Sequence, residues 1–304
     1  MSATRKEHSQ SPAGMPYSAG MQRPGIAVPA DACDCHLHVY DSGFPATPGA
    51  RLRPPDASIS DYRLLQQRLG TRRAVLVTPS TYGTDNRVML RALEALGADA
   101  RGVAVIDGAQ SNEQLGALHA QGVRGVRLNL SLGVAGSVEM LEPLAQRIAA
   151  LGWHLQLLMS PDALAALGDT LRRLPVQVVF DHFARISPAQ SGAHPAHALV
   201  LALLREDRAW IKLSGGYLVS AHVTTDDPAL TDLARSYLDA NPDRIVWGSD
   251  WPHATASAGI HPMPDDARQM DRLADWTSDV DLFRRVLVDN PAALYGFASP
   301  AHSD

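Results

Sequence analysis

Eight short apolar segments, each followed by a segment with helical character, constrain the fold of this chain most strongly. Consecutive apolar residues are typical of parallel strands that are buried on both faces. The strands are predicted over residues 33–39, 74–78, 102–106, 125–130, 154–159, 176–180, 210–213 and 244–247. Eight such strand–helix units over about 270 residues match a single-domain α/β fold, the (β/α)8 or TIM barrel. A doubly wound open sheet is the alternative, but no Gly-x-Gly-x-x-Gly motif follows the first strand.

The composition of the 304-residue chain limits the partners and the cellular compartment that we expect for it. Apolar residues make up 45% of the sequence, and the formal net charge is -5 without any basic run. Nucleic acid and anionic membranes are therefore not expected partners. No stretch approaches the roughly 20 consecutive apolar residues of a membrane-spanning helix. Cys33 and Cys35 are too close in sequence for an ordinary disulfide bridge, so we expect a reduced, cytoplasmic protein.

Residues 1–30 differ from the remainder of the chain because they are rich in Ser, Pro, Gly and Met. They lack the continuous apolar region of a secretory signal peptide. We predict a flexible N-terminal arm over residues 1–30 and one barrel domain over residues 31–304. Packing of this arm on a second copy would give a homodimer, which the sequence leaves open. Helix ends are also indicated locally: Ser60 is predicted to cap the first helix, and Ser111 with Gln114 has the spacing of a capping box.

The first strand carries the run Asp34-Cys35-His36-Leu37-His38. Alternation along a strand predicts that Asp34, His36 and His38 share one face. The two imidazoles would lie about 7 Å apart along the strand, close enough to bind one metal ion or one substrate oxygen. A structural histidine pair is the alternative.

The last strand runs directly into Ser249-Asp250-Trp251-Pro252-His253. An unpaired buried carboxylate is costly inside a strand, so Asp250 is expected at the strand end, facing a cleft. The alternative is an aspartate that only stabilises a turn, because Ser-Asp before Trp-Pro is also typical of turns.

Polar residues recur at the ends of the other predicted strands. In a barrel, catalytic residues come from the C-terminal ends of several strands. The residues that follow this rule are His36, His38, Ser80, Arg127, Asn129, Gln156, His182, Lys212, Ser214 and Asp250. Their number predicts a common cavity.

This set of residues resembles the amidohydrolase superfamily. The first-strand and last-strand runs match its motifs, while Asp181-His182-Phe183 and the loop Thr84-Asp85-Asn86 are similar to one branch. That branch contains 2-pyrone-4,6-dicarboxylate hydrolase and related sugar-lactone hydrolases and isomerases. The resemblance covers about residues 30–297. It implies a hydrolase, or lactone isomerase, that opens a carboxylated or polyhydroxylated lactone.

The resemblance also implies roles for individual residues. Asp250 would be the general base, and His36, His38 and His182 would stabilise the oxyanion. Arg127 would hold a substrate carboxylate, although a structural ion pair is its alternative. The other expected substrate contacts are Ser80, Tyr82, Asn86, Gln156 and Arg185. Pyrone dicarboxylate enzymes use several arginines, whereas this chain has Gly133 and the run Gly215–Leu218 at two such positions, so one substrate carboxylate is expected.

Metal-dependent members of the superfamily commonly have a carboxylated lysine on strand four and a histidine on strand five. Arg127 and Gln156 stand on those strands here, so a binuclear site is not expected. The branch resembled works without metal, and a metal-free site is therefore favoured. The alternative is one divalent ion, Zn or Mn, in an amidohydrolase or a non-oxidative decarboxylase; its ligands would be His36, His38, His182 and Asp250. A non-enzymatic binding protein is a third hypothesis.

Overall fold

The computed structural model describes residues 15–131 and 136–298. Eight parallel strands follow one another in chain order, and each pairs with the next. They are β1 Cys33–Leu37, β2 Arg73–Val77, β3 Ala100–Ala104, β4 Val123–Asn129, β5 His154–Leu158, β6 Val178–Phe180, β7 Ala209–Ser214 and β8 Ile245–Gly248. Backbone bonds beyond β8 join it to β1: Asp250 N–H donates to the His36 carbonyl at 2.9 Å, and His38 N–H to the Trp251 carbonyl at 2.8 Å. The predicted TIM barrel is confirmed.

Helices alternate with the strands and cover the outside of the barrel. They are α1 Ile59–Leu69, α2 Arg87–Leu96, α3 Asn112–Ala120, α4 Leu141–Ala149, α5 Pro161–Ala165, α6 Gly168–Arg173, α7 Pro195–Arg205, α8 Ala229–Ala240, α9 Ala254–Ser257, α10 Asp266–Thr277, α11 Val280–Arg284 and α12 Asn290–Tyr295. A π-helical turn, Arg285–Asp289, joins the last two. Within the described ranges, no helix has the length and apolarity needed to cross a membrane.

The capping signals were assigned correctly in one of two cases. Ser111 caps α3, and its hydroxyl and the Gln114 side chain form the expected capping box. The prediction that Ser60 caps α1 is wrong. The cap is Ser58, whose hydroxyl accepts from Asp61 N–H at 3.2 Å while the Asp61 carboxylate accepts from Ser58 N–H at 3.0 Å. Only Ser58 has an acid three residues later that can complete this reciprocal pair.

The face assigned to Asp34 is also wrong. Asp34 points towards the helices, where it accepts hydrogen bonds from the Tyr62 hydroxyl at 3.1 Å and the Ser249 hydroxyl at 2.6 Å. His36, two residues later, nevertheless lies inside the barrel. The register of β1 against β2 is irregular between Asp34 and Leu37, and this irregularity breaks the strict alternation.

The described part of the N-terminal arm, residues 15–30, lies against the barrel. The Trp251 indole donates to the Pro16 carbonyl at 3.1 Å, and Tyr17 packs edge-on against that indole. Arg68 of α1 donates to the Ser18 hydroxyl at 2.9 Å and to the Gln22 carbonyl at 2.7 Å. This part of the arm is thus attached near the end of β8. The rest of the arm, residues 1–14, lies outside the described residues, so its predicted flexibility stays a prediction.

Candidate active site

The Asp250 carboxylate lies at the centre of a cluster of imidazoles at the C-terminal ends of the strands. Its Oδ1 is 3.8 Å from Nε2 of His36 and 3.7 Å from Nε2 of His182. Its Oδ2 accepts a hydrogen bond from the Tyr217 hydroxyl at 2.8 Å. Asp250 has a left-handed backbone (φ 69°), a conformation that non-glycine residues hold mainly where the surrounding structure imposes it. The two carboxylate oxygens are therefore placed in different environments.

Hydrogen bonds on the far side of each ring orient the histidines. Nδ1 of His38 lies 2.7 Å from the Val77 carbonyl, which can only accept, so Nδ1 carries the proton and Nε2 of the neutral ring has a free lone pair. That Nε2 is 3.3 Å from Nε2 of His36. Nδ1 of His182 bonds the Ser214 hydroxyl at 2.9 Å. The Nε2 atoms of His36 and His182 thus lie beside Asp250 Oδ1, and Nε2 of His38 lies next to that of His36.

Burial fixes the charge states of this cluster. It lowers the pKa of His36 well below its ordinary value, the pKa of His38 to about 4, and the pKa of His182. Burial alone would raise the pKa of the Asp250 carboxyl, but the imidazoles of His182, His36 and His38 outweigh it and hold that pKa below its ordinary value. At neutral pH the site therefore combines neutral rings with one ionised carboxylate.

A buried carboxylate on the inner side of His36 supports the cluster. Asp181 Oδ1 is 3.2 Å from His36 Nδ1, and Asp181 Oδ2 accepts from Arg127 Nε and from Gln156 Nε2, each at 3.1 Å. Burial opposes ionisation of Asp181, yet His36, Lys212 and Arg127 hold its pKa well below the ordinary value. The Lys212 ammonium can only donate, and it lies 3.3 Å from His36 Nδ1, so His36 carries its proton on Nε2, towards Asp250. That Nε2–H can donate to the lone pair of His38 Nε2 at 3.3 Å.

Lys212 completes this support, and it lies entirely inside the barrel. Its ammonium donates to the Gln156 amide oxygen and to the Cys35 carbonyl, both at 2.8 Å, and lies 3.7 Å from Asp181 Oδ1. Burial lowers the pKa of Lys212, while the nearby Asp181 opposes that change. Lys212 was predicted among the strand-end residues of the cavity but without a role, and Asp181 was not predicted as a site residue.

A left-handed turn positions His182 and Arg185 together. The four successive residues His182–Arg185 have φ between 50° and 59° although none is glycine. The Tyr237 hydroxyl donates to the Phe183 carbonyl at 3.1 Å and stabilises this turn. His182 thereby reaches the floor of the site, and Arg185 reaches its wall. Such conformations cost about 1–2 kcal/mol per residue, so the surrounding contacts must compensate for them.

A cavity of about 310 Å³ opens above the cluster. Six of the predicted site residues line it: His38, Ser80, Arg127, His182, Arg185 and Asp250. His36 is fully buried beside Asp250. Asn129, predicted at the end of β4, also lines the cavity, as do Tyr217 and Arg51, which were not predicted.

Three predicted substrate contacts lie outside the cavity lining, and their polar atoms bond the protein. The Tyr82 hydroxyl accepts from Asp41 N–H at 2.8 Å. The Asn86 side chain bonds Thr78 and Val105. Gln156 bonds Asp181 and Lys212, as described above. Their roles in substrate binding stay predictions, and Gly133 lies outside the described residues.

The donor set fits one divalent metal ion. His36, His182 and Asp250 each offer one ligand atom, and these atoms all lie within 4.8 Å of one another. Neutral imidazole nitrogen and carboxylate oxygen are suitable ligands for zinc and manganese. The three residues can therefore hold an ion, with His38 beside them.

Fold and site together define a (β/α)8-barrel enzyme with a histidine–aspartate centre. The amidohydrolase family model matches residues 33–297, so the chain belongs to this family. Two curated relatives are lactone hydrolases. A 2-pyrone-4,6-dicarboxylate hydrolase from Comamonas testosteroni is 34% identical over 95% of this chain and 98% of its own. A 4-sulfomuconolactone hydrolase from Rhizobium radiobacter is 34% identical over 89% of this chain and 92% of its own.

A solved structure agrees with these relatives. A probable 2-pyrone-4,6-dicarboxylic acid hydrolase from Acinetobacter baumannii, with citric acid bound, superposes with a TM-score of 0.77. It is 27% identical and covers 88% of this chain and 100% of its own. A further curated relative is named as a lactone isomerase. The family resemblance seen in the sequence is confirmed.

Proposed function

We propose that this enzyme opens the ring of an anionic lactone by adding water to its carbonyl carbon. The observation that carries the proposal is the position of Asp250, an ionised carboxylate beside the Nε2 atoms of His36 and His182 at the floor of a cavity. The names of the relatives, which are lactone hydrolases, support the same reaction class.

In this mechanism Asp250 Oδ1 takes a proton from water while the water oxygen attacks the lactone carbonyl. Negative charge develops on the carbonyl oxygen, which the Nε2–H groups of His36 and His182 stabilise. His38 cannot donate to it, because its proton is on Nδ1 and bonds the Val77 carbonyl. The bond from the carbonyl carbon to the ring oxygen then breaks. Asp250 returns its proton to that ring oxygen as general acid. In a lactone isomerase, a hydroxyl of the substrate would replace water as the attacking group.

Cationic side chains on the cavity wall support an anionic substrate. Arg127 and Arg185 both line the cavity, and Arg127 Nε is held by Asp181 at 3.1 Å. Burial lowers the pKa of Arg185, and the nearby Asp250 opposes that change. A substrate carboxylate between these guanidinium groups would form charge-assisted hydrogen bonds. Asn129, which donates to the Ser80 hydroxyl at 2.9 Å, adds neutral polar groups to the same wall.

Replacing Arg185 with glutamine is expected to raise KM for a lactone carboxylate about 10–100-fold, because a hydrogen bond to a charged group contributes about 1.5–3 kcal/mol. The change in kcat should be smaller, since Arg185 bonds the part of the substrate that does not react. Steady-state kinetics measure both constants. Arg173→Gln, which changes an exposed arginine paired with Glu142, is the control. An unchanged KM in Arg185→Gln would remove this residue from substrate binding.

The second candidate function uses the same residues as metal ligands. The convergence of His36, His182 and Asp250 within 4.8 Å favours it, and such a centre would belong to a metal-dependent amidohydrolase or a decarboxylase. A bound divalent ion would polarise the substrate carbonyl and lower the pKa of an attacking water. Asp250 and the histidines would then hold the ion.

Metal analysis combined with chelation separates the two candidates. The purified protein is analysed for bound metal, and hydrolysis of a panel of lactone carboxylates is measured before and after treatment with a chelator. We expect hydrolysis to continue in metal-free protein. Loss of activity together with one ion per chain, and its return when zinc or manganese is added back, would establish the metal-dependent function instead.

A further inference from the structure

We propose that Tyr217 is a positioning residue that fixes the orientation of the Asp250 carboxylate. The inference rests on the proposed function, in which Asp250 is the general base. The Tyr217 hydroxyl donates to Asp250 Oδ2 at 2.8 Å, and the tyrosine side chain is buried. This bond leaves Oδ1 as the oxygen that lies near His36 and His182.

The loop after β7 is shaped so that Tyr217 can reach this carboxylate. Gly215 has φ 57°, and a Cβ added there would lie 2.9 Å from His182 Nδ1 and 3.4 Å from Asp250 Oδ2. The following residues form a 3-10 turn, Gly216–Leu218, closed by a bond from Leu218 N–H to the Gly215 carbonyl at 2.8 Å. The loop therefore passes directly over the two catalytic side chains, where a larger residue at 215 would collide with the His182 ring.

The tyrosine ring is held from its other sides. Its edge packs against His253 with ring centroids 5.7 Å apart, and against His261 at 6.3 Å. A phenol held in this way can act only as a donor to Oδ2, because burial raises its pKa well above the ordinary value and keeps it protonated. When Oδ1 accepts the proton of water, Oδ2 becomes the carbonyl oxygen of the acid and retains the Tyr217 bond. The proton is thereby confined to Oδ1, on the side of the substrate.

Tyr217→Phe removes the hydroxyl and retains the ring. We expect kcat for lactone opening to fall about 10–100-fold, as loss of a hydrogen bond to a charged group predicts. KM should stay within about threefold, because Tyr217 orients the carboxylate that reacts, whereas other side chains hold the substrate. In crystal structures of the variant and the wild type, Asp250 Oδ1 should differ in position by about 1 Å or more relative to the two Nε2 atoms.

Tyr295→Phe is the matched control. This buried phenol packs among the apolar side chains of the barrel interior, and its hydroxyl bonds no partner in the part of the chain that is described. Both kinetic constants should equal those of the wild type. A Tyr217→Phe enzyme with unchanged kcat, or with only a raised KM, would overturn the positioning role, as would a carboxylate that has not moved. Failure of the wild type on every lactone would refute the proposed function alone, because the two crystal structures still decide whether Tyr217 orients Asp250.

Discussion

Replacing Asp250 with asparagine is expected to lower kcat for lactone opening by about 10²–10⁴-fold, the usual contribution of a general acid–base group. Asparagine has nearly the same size but cannot accept a proton at Oδ1 from water. It can still accept the Tyr217 hydrogen bond, so the local structure should be preserved. Steady-state kinetics and a urea unfolding curve measure the two effects separately.

Asp226→Asn provides the control for this experiment. Asp226 is an exposed aspartate that pairs with Arg268, away from the cavity lining, and its replacement should change neither activity nor stability appreciably. Full activity in Asp250→Asn would remove Asp250 from the mechanism. Metal content measured in the same variant adds a second comparison, because loss of a bound ion together with activity would favour the role of Asp250 as a ligand.

Replacing Asp181 with asparagine is expected to lower the free energy of unfolding by about 3–5 kcal/mol, as removal of one partner from a buried ion pair does. The variant leaves Lys212 and Arg127 without the carboxylate that they share. Activity should fall as well, because the carboxylate that lies 3.2 Å from His36 Nδ1 and 3.7 Å from the Lys212 ammonium is replaced by a neutral amide. Urea unfolding monitored by circular dichroism measures the loss of stability.

A double variant tests whether the loss comes from the unpaired charge. Asp181→Asn combined with Lys212→Met removes a cation together with its partner, so it should recover part of the stability lost in the single variant. Asp162→Asn, at an exposed carboxylate that contacts His194, is the control and should shift stability by less than about 1 kcal/mol. Wild-type stability in Asp181→Asn would show that this buried carboxylate is not needed for the fold.

The fold was largely predictable because its signal repeats. Eight apolar runs separated by helical segments permit few architectures, and each strand was found within a few residues of its expected position. The side-chain directions on β1 were less predictable. Alternation assigns Asp34 and His36 to one face, whereas an irregular register separates them. That irregularity depends on how β1 pairs with β2, and the partner strand is not visible in the local pattern.

The reacting groups were also predictable from a repeated signal. Histidines and an aspartate recur at the ends of several barrel strands, where such residues usually form an active site. The contacts of the supporting residues Asp181 and Lys212 were not predictable. Asp181 and Lys212 meet only because β6 and β7 are neighbours, and a single sequence does not state which charges pair. Tyr217 was not predicted, because the resemblance drew attention only to arginines in the loop after β7. Asn86 and Gln156 have side chains suited to a substrate, but the backbone and buried charges nearby bond them instead.

The left-handed turn over His182–Arg185 links the evolution of substrate preference to the chemistry of this barrel. Arg185 on the cavity wall and the reacting imidazole of His182 are only three positions apart. The left-handed backbone between them tolerates little adjustment. Substitutions that suit a new substrate at position 185 would have to preserve that backbone, or else displace the imidazole. Wall positions such as Arg51 and Ser80 come from other loops and carry no such restriction. New specificities in enzymes descended from this one should therefore arise first around those loops.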